Sequence, residues 1–123
     1  MVRRCENAFG RVVFDLGAGS SLDPFGGTVA ILVMTPSIVS AHRARDLLAS
    51  APDASWAVVV NRLGPGSEAT TRMLEQVLGR RITLELPCTP ALRDREDEGR
   101  LLMNKWSRWL SRIDRLAQAV AKT

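Results

Sequence analysis

Two stretches of this chain, Thr28-Val29-Ala30-Ile31-Leu32-Val33-Met34 and Trp56-Ala57-Val58-Val59-Val60-Asn61, are apolar with almost no polar alternation. A strand that is apolar at successive positions offers no face to water. Such strands sit inside parallel sheets whose two faces are covered by helices. Between the two stretches, Ile38, Ala41, Arg45 and Leu48 fall at helical spacing, with Ala44 and Leu47 beside them. Ser37, just after Pro36, is placed to cap that helix. Strand, helix and strand make one crossover unit, which should be right-handed.

The same alternation runs through the rest of the chain. Gly64-Pro65-Gly66 reads as a loop, and Ser67 as the cap of a second helix. Its stripe is Thr70, Met73, Leu74, Val77 and Leu78, and Gly79 stops it. Residues 82–86 alternate apolar and polar, which suits a strand near an edge of the sheet. Upstream, residues 11–16 form a short apolar run ending near Asp15, and they are read as a first buried strand. Residues 93–100 are a charge run, and residues 101–123 an amphipathic C-terminal helix. The predicted order is β-β-α-β-α-β-α. The predicted fold is a single three-layer α/β domain over residues 1–123. It has a mostly parallel sheet of about four strands with helices on both faces.

Composition excludes several classes. A chain of 123 residues can bury a core without disulfide or metal staples. Its 46% apolar and 24% charged residues are ordinary for a globular domain. No apolar run approaches the roughly 18 residues of a membrane span. The first residues lack the apolar core of a signal peptide, so a cytoplasmic protein is expected. Cys5 and Cys88 have no metal-ligand spacing and are read as thiols, with a disulfide between them as the alternative. The seventeen basic residues are arginine except for Lys105 and Lys122, and the net charge is +4. They are spread along the chain, which reflects a preference for arginine over lysine more than a binding stripe. Sequence-specific nucleic-acid binding is not expected.

Several short motifs, in order, resemble the MinD/ParA family of P-loop ATPases over roughly residues 10–103. Asp15-Leu16-Gly17-Ala18-Gly19 resembles the family's Asp-x-Pro-x-Gly turn, with Gly17 in the proline's place. This form is similar to that of flagellar-number regulators and pilus-assembly relatives. Leu32-Val33-Met34-Thr35-Pro36 resembles the strand ending in Thr-Pro that follows it. Val58-Val59-Val60-Asn61-Arg62 resembles the strand ending in Asn-Lys or Asn-Arg, whose asparagine recognises adenine. Leu86-Pro87 resembles the loop whose proline flanks that base. Residues 96–102 resemble the Glu-x-x-Gly-x-Pro-Leu region, with leucine where the proline would be.

The resemblance implies a partial P-loop NTPase fold equivalent to the C-terminal half of such an ATPase. It implies nucleotide-binding roles for Gly17, Gly19, Asn61, Arg62 and Pro87, and a Mg²⁺ or switch role for Asp15 through water. These roles are chemically reasonable. A carboxylate at a strand end can hold hydrated Mg²⁺. An Asn amide pairs an acceptor with a donor, as an adenine edge requires. What the chain lacks is the phosphate cradle: no G-x-x-x-x-G-K-[ST] and no GKGG-type loop occurs in it. Triphosphate binding needs a nest of backbone N–H groups and a lysine. ATP and Mg²⁺ are therefore expected only if another polypeptide supplies that half, and hydrolysis by this chain alone is not expected.

The family's phosphate-loop strand lies in mid-sheet beside the strand that ends in the acid. Without it, the first two strands either pair directly or flank a strand lent by another chain, so a homo- or hetero-oligomer is expected. Each candidate residue also has a plainer reading. Asp15 can cap the glycine turn that follows it, and Asn61 the turn at Leu63-Gly64. His42 reads as a surface histidine on a helix, with Asp46 one turn on. In the last helix, Leu102, Trp106, Trp109, Ile113, Leu116 and Val120 form one stripe, with Lys105, Arg108, Arg112 and Arg115 on other faces. The main reading places this stripe against the sheet. A partner helix or peripheral membrane contact is the alternative. The family's full proteins are nucleotide-switched dimers that position or regulate division sites, plasmids, flagella or pili. The rival to an ATPase half is a non-catalytic interaction module or membrane-surface adaptor.

Overall fold

The computed structural model describes residues 13–18, 29–91, 97–99 and 108–121. Six elements follow in order: β1 (Val29–Met34), α1 (Ile38–Ser50), β2 (Ser55–Leu63), α2 (Thr71–Leu78), β3 (Leu84–Pro87) and α3 (Arg108–Ala121). The strands form one parallel sheet in the order β1-β2-β3. The fold is α/β with a parallel sheet and flanking helices, as expected, but among the described residues only β2 is covered on both faces: Ile31 and Val33, on one face of β1, are 44% and 59% exposed.

β2 lies in the centre of the sheet. Alternate residues of a strand point to opposite faces. Trp56, Val58 and Val60 therefore share one face, where they pack with Leu32 and Met34 of β1, Ala41, Ala44 and Leu48 of α1, and Leu74 and Leu78 of α2. Ala57 and Val59 point the other way and are buried as well. The small residues of α1 facing the sheet, Ala41 and Ala44, are buried and leave no bulky side chain between the helix and the strands. Thr83 extends the β2–β3 pairing beyond the strand proper. Its N–H donates to the Val58 carbonyl at 2.8 Å, and its Oγ1 accepts the Val58 N–H at 2.9 Å.

Local chemistry sets the helix ends. The Ser37 hydroxyl accepts the N–H of Ser40 at 3.1 Å, which is the expected cap of α1. α2 is capped by Thr70, whose hydroxyl accepts the N–H of Met73 at 3.3 Å, not by Ser67. Ser67 closes its own loop instead, accepting the Gly64 N–H at 2.8 Å. The delay has a tertiary cause. Ala69 is buried and its N–H donates to the Pro36 carbonyl at 3.2 Å, so the link is held until Thr70. Gly79 ends α2 in the left-handed region at φ 71°, as expected.

Two expectations change. Of the predicted first strand, residues 13–16 are in no strand, Val13 is 92% exposed, and residues 11 and 12 lie outside the described residues. The sheet thus has three strands among the described residues, not about four. The carboxylate of Asp15 accepts the N–H of Gly17 at 3.0 Å, turning the backbone where extension was expected. The described sheet is β1-β2-β3, and residues 13–16 are not one of its strands. The C-terminal helix is described only from Arg108, and residues 101–107, including Trp106, lie outside the described residues. α3 packs chiefly against β3. Trp109, Ile113, Leu116 and Val120 are only half-buried, and no residue of α3 is fully buried. His42 is exposed and Cys88 is a free thiol, as read from the sequence.

Leu74 is fully buried between the helices and the sheet. Leu74→Ala should cost about 2–5 kcal/mol by the lost transfer energy and the cavity left behind. Thr70→Ala should cost about 1 kcal/mol through loss of the cap. Urea unfolding followed by circular dichroism measures both, and near-equal costs would mean that the helix pair is not packed on the sheet as described.

Candidate functional site

In an open parallel sheet, ligands bind beyond the carboxyl ends of the strands, where the strand-to-helix loops converge. In this chain that rim comprises the segments after Met34, after Leu63 and after Pro87. The rim loops are bonded to one another. The first and second are joined by the Ala69 N–H to the Pro36 carbonyl, and the second and third by the Cys88 N–H to the Leu63 carbonyl at 2.9 Å. Thr35 is tied to α1 by its N–H, which donates to the Ser40 hydroxyl at 3.2 Å.

Asn61, Arg62 and Pro87 meet on this rim. Asn61 and Arg62 occupy the end of β2, and Pro87 is the last residue of β3, paired in register with Leu63. The register breaks between Val60 and Leu63, and Arg62 sits in the break with φ 62°. A non-glycine residue in the left-handed region at a strand bulge stores strain, and such strain gathers at functional sites. The Asn61 Oδ1 accepts the N–H of Arg62 at 3.0 Å. Its amide nitrogen has no partner among the described residues, and its carbonyl oxygen keeps a second lone pair. Both N–H donors of the amide and one acceptor lone pair thus remain for an outside group. Gly64 is the first residue after β2, and a Cβ there would lie 3.4 Å from the Cys88 Cβ. The second and third rim loops are thus in close contact.

The other sequence candidates lie elsewhere or outside the described residues. Asp15 and Gly17 belong to an irregular, exposed segment, with Gly17 at φ 65°. Asp15 is at the end of no strand, and the contact it makes is the local turn to the Gly17 N–H. This is the capping geometry that was its plainer reading. Gly19 lies outside the described residues. Among the described residues, no three His, Cys, Asp or Glu side chains group as metal ligands. Sequence reading missed Ser67 and Cys88 as rim residues. The strain at Arg62 left no signal either, because an arginine does not advertise a positive φ.

No family model matches the sequence, and no curated protein matches it. Among solved structures, the chain is similar to the ParA family ATPase from Chlorobium tepidum TLS, with a TM-score of 0.61 and 24% identity over 72% of this chain. The fold is ParA-like. The chain spans only 40% of the length of that ATPase. At this identity the likeness establishes the fold, and the rim chemistry has to be argued from the residues themselves.

Asn61 offers paired donor and acceptor capacity, and Pro87 an apolar edge nearby on the next strand. The sequence contains no glycine-rich lysine loop that would cradle phosphates. Replacing Arg62 by glycine should stabilise the protein by about 1 kcal/mol, because it relieves the left-handed backbone. Asp15→Ala should change stability by less than about 0.5 kcal/mol, as expected for an exposed local turn. Thermal melts of the two variants test this. Destabilisation by Arg62→Gly would mean that its side chain, not its backbone, holds the rim.

Proposed function

We propose that this chain is a ParA/MinD-like ATPase relative that carries the base-recognising rim of the fold but does not hydrolyse ATP by itself. The observation that carries this reading is the meeting of Asn61, Arg62 and Pro87 at the carboxyl rim of a ParA-like sheet in a sequence with no phosphate-binding loop. In this reading Asn61 orients a base, Pro87 borders it, and a phosphate-loop segment that is not among these 123 residues completes the site. Asp15 and the glycines at 17 and 19 would then act only in that completed assembly. When bound there, Mg²⁺ would neutralise phosphate charge, and Asp15 is the carboxylate of this chain that could hold it through water. The biological role in this reading is the positioning or regulation of cellular machinery such as division, partition, flagellum or pilus apparatus.

The β1 edge supports a partner that adds to the sheet. β1 pairs with β2 on one side and with no other described strand. On one face of β1, Ile31 is 44% and Val33 59% exposed. An uncharged edge strand of this kind invites pairing. Without a phosphate-loop half, the rival reading is a non-catalytic interaction module using this edge.

Two measurements test the proposal. Incubated with Mg²⁺-ATP, the 123-residue chain should release phosphate no faster than the buffer blank, and Asp15→Asn should not alter that. Turnover abolished by Asp15→Asn would refute the absence of a phosphate site. In equilibrium dialysis, adenosine should bind weakly to the wild-type chain. Asn61→Ala should weaken it by about tenfold, the effect of losing one or two hydrogen bonds at about 1 kcal/mol or somewhat less each. Equal binding by both proteins would remove Asn61 from the reading.

A further inference from the structure

A groove of about 410 Å³ runs between β3 and α3, away from the rim loops. Its apolar lining is Ile82, Leu84, Leu116 and Ala119, and its charged residues are Arg112, Arg115 and Glu85. One arm of Arg112 donates to the Glu85 carbonyl at 2.9 Å, which satisfies a carbonyl of this edge strand and fixes the guanidinium at the groove. Neither arginine has an ion-pair partner among the described residues. Glu85, the acidic residue of the lining, turns its carboxylate to α2, where Oε1 accepts the Thr71 hydroxyl at 2.7 Å. Asp114, the one acidic residue of α3, is exposed and lies on the far side of the helix from residues 112, 115, 116 and 119.

We propose that this groove binds a small aliphatic carboxylate, with its chain along Leu84, Leu116 and Ala119 and its head group between Arg112 and Arg115. The volume lies in the range of small-molecule sites, and an apolar lining with a few convergent polar groups is their usual make-up. The charge identifies the occupant. Two cations beside an apolar surface, with the nearby carboxylate committed to another helix, complement an anion with an apolar body. Guanidinium pairs well with a carboxylate because its N–H groups match the two oxygens. Arg112, held by Glu85, is pre-organised for that contact. Arg115, exposed one turn along, can close on the ligand from solvent.

The test uses decanoate on the full chain. Isothermal titration should show saturable binding of decanoate. Acetate, which has the charge without the chain, and decanol, which has the chain without the charge, should bind at least tenfold more weakly. Arg115→Glu should weaken decanoate by tenfold or more with an unchanged melting midpoint, because its side chain has no structural bond to lose. Arg115→Ala should weaken it less. Backbone amide shifts in NMR should move at residues 82–85 and 112–119. Equal binding of decanol, undiminished binding by Arg115→Glu, or shifts confined to β1 near Ile31 and Val33 would each overturn the assignment. The last two would mark decanoate as a probe of exposed apolar surface.

Discussion

The burial of β2 on both faces is the constraint on which the rest of this structure depends. Val58, Val59 and Val60 are three consecutive buried side chains, and successive residues of a strand face opposite ways. Burial of all three requires cover above and below the sheet at the same time. The backbone groups between them are equally deprived of water. β1 pairs with residues 55–60 on one side, and β3 and Thr83 pair on the other. An unpaired buried amide costs about 1–3 kcal/mol, so the central strand specifies its neighbours as well as its cover.

The site follows from that packing. Because the strands are parallel, their carboxyl ends gather at one rim, and the loops there are cross-bonded through Pro36, Ala69, Leu63 and Cys88. The bulge at Arg62 lies where the ladder gives way to this rim. A rigid strand centre and a strained strand end are adjacent in sequence, only two residues apart. The core carries the strain, and the rim presents the polar groups that strain exposes. The β1 edge is the opposite case. Its residues are as apolar as those of β2, yet Ile31 and Val33 stand partly in solvent. The same composition therefore yields a strand covered on both faces or one with an open face, depending on what the fold packs over it.

The opposite end of the molecule has a different character. α3 is strongly amphipathic, but its apolar stripe is only half-buried against β3. A four-residue strand offers too little width to cover a fourteen-residue helix. A groove with its own charges remains between them. The looseness that would be a defect in the β2 core is what leaves room for a ligand here.

The sequence by itself determined the α/β class, the crossover order from β1 to β3, the Ser37 cap and the Gly79 stop. Each depends on a local pattern: apolar runs without alternation, helical spacing, a hydroxyl before a helix, a glycine after one. It also placed Asn61, Arg62 and Pro87 at strand ends, because strand ends follow from strand lengths. Tertiary structure alone decided the rest. Residues 13–16 have the composition of a strand, yet they belong to none of the described strands, because strand formation depends on what the fold places alongside and not on composition alone. Ser67 has the chemistry of a cap, but Ala69 bonds to Pro36 and moves the helix start to Thr70. Asp15 stands in an exposed segment outside the described strands, where its carboxylate accepts the Gly17 N–H. The positive φ of Arg62 and the pairing of Arg112 with Glu85 arise from contacts between elements. No pattern in the chain could encode them, because each depends on which surfaces the fold brings together.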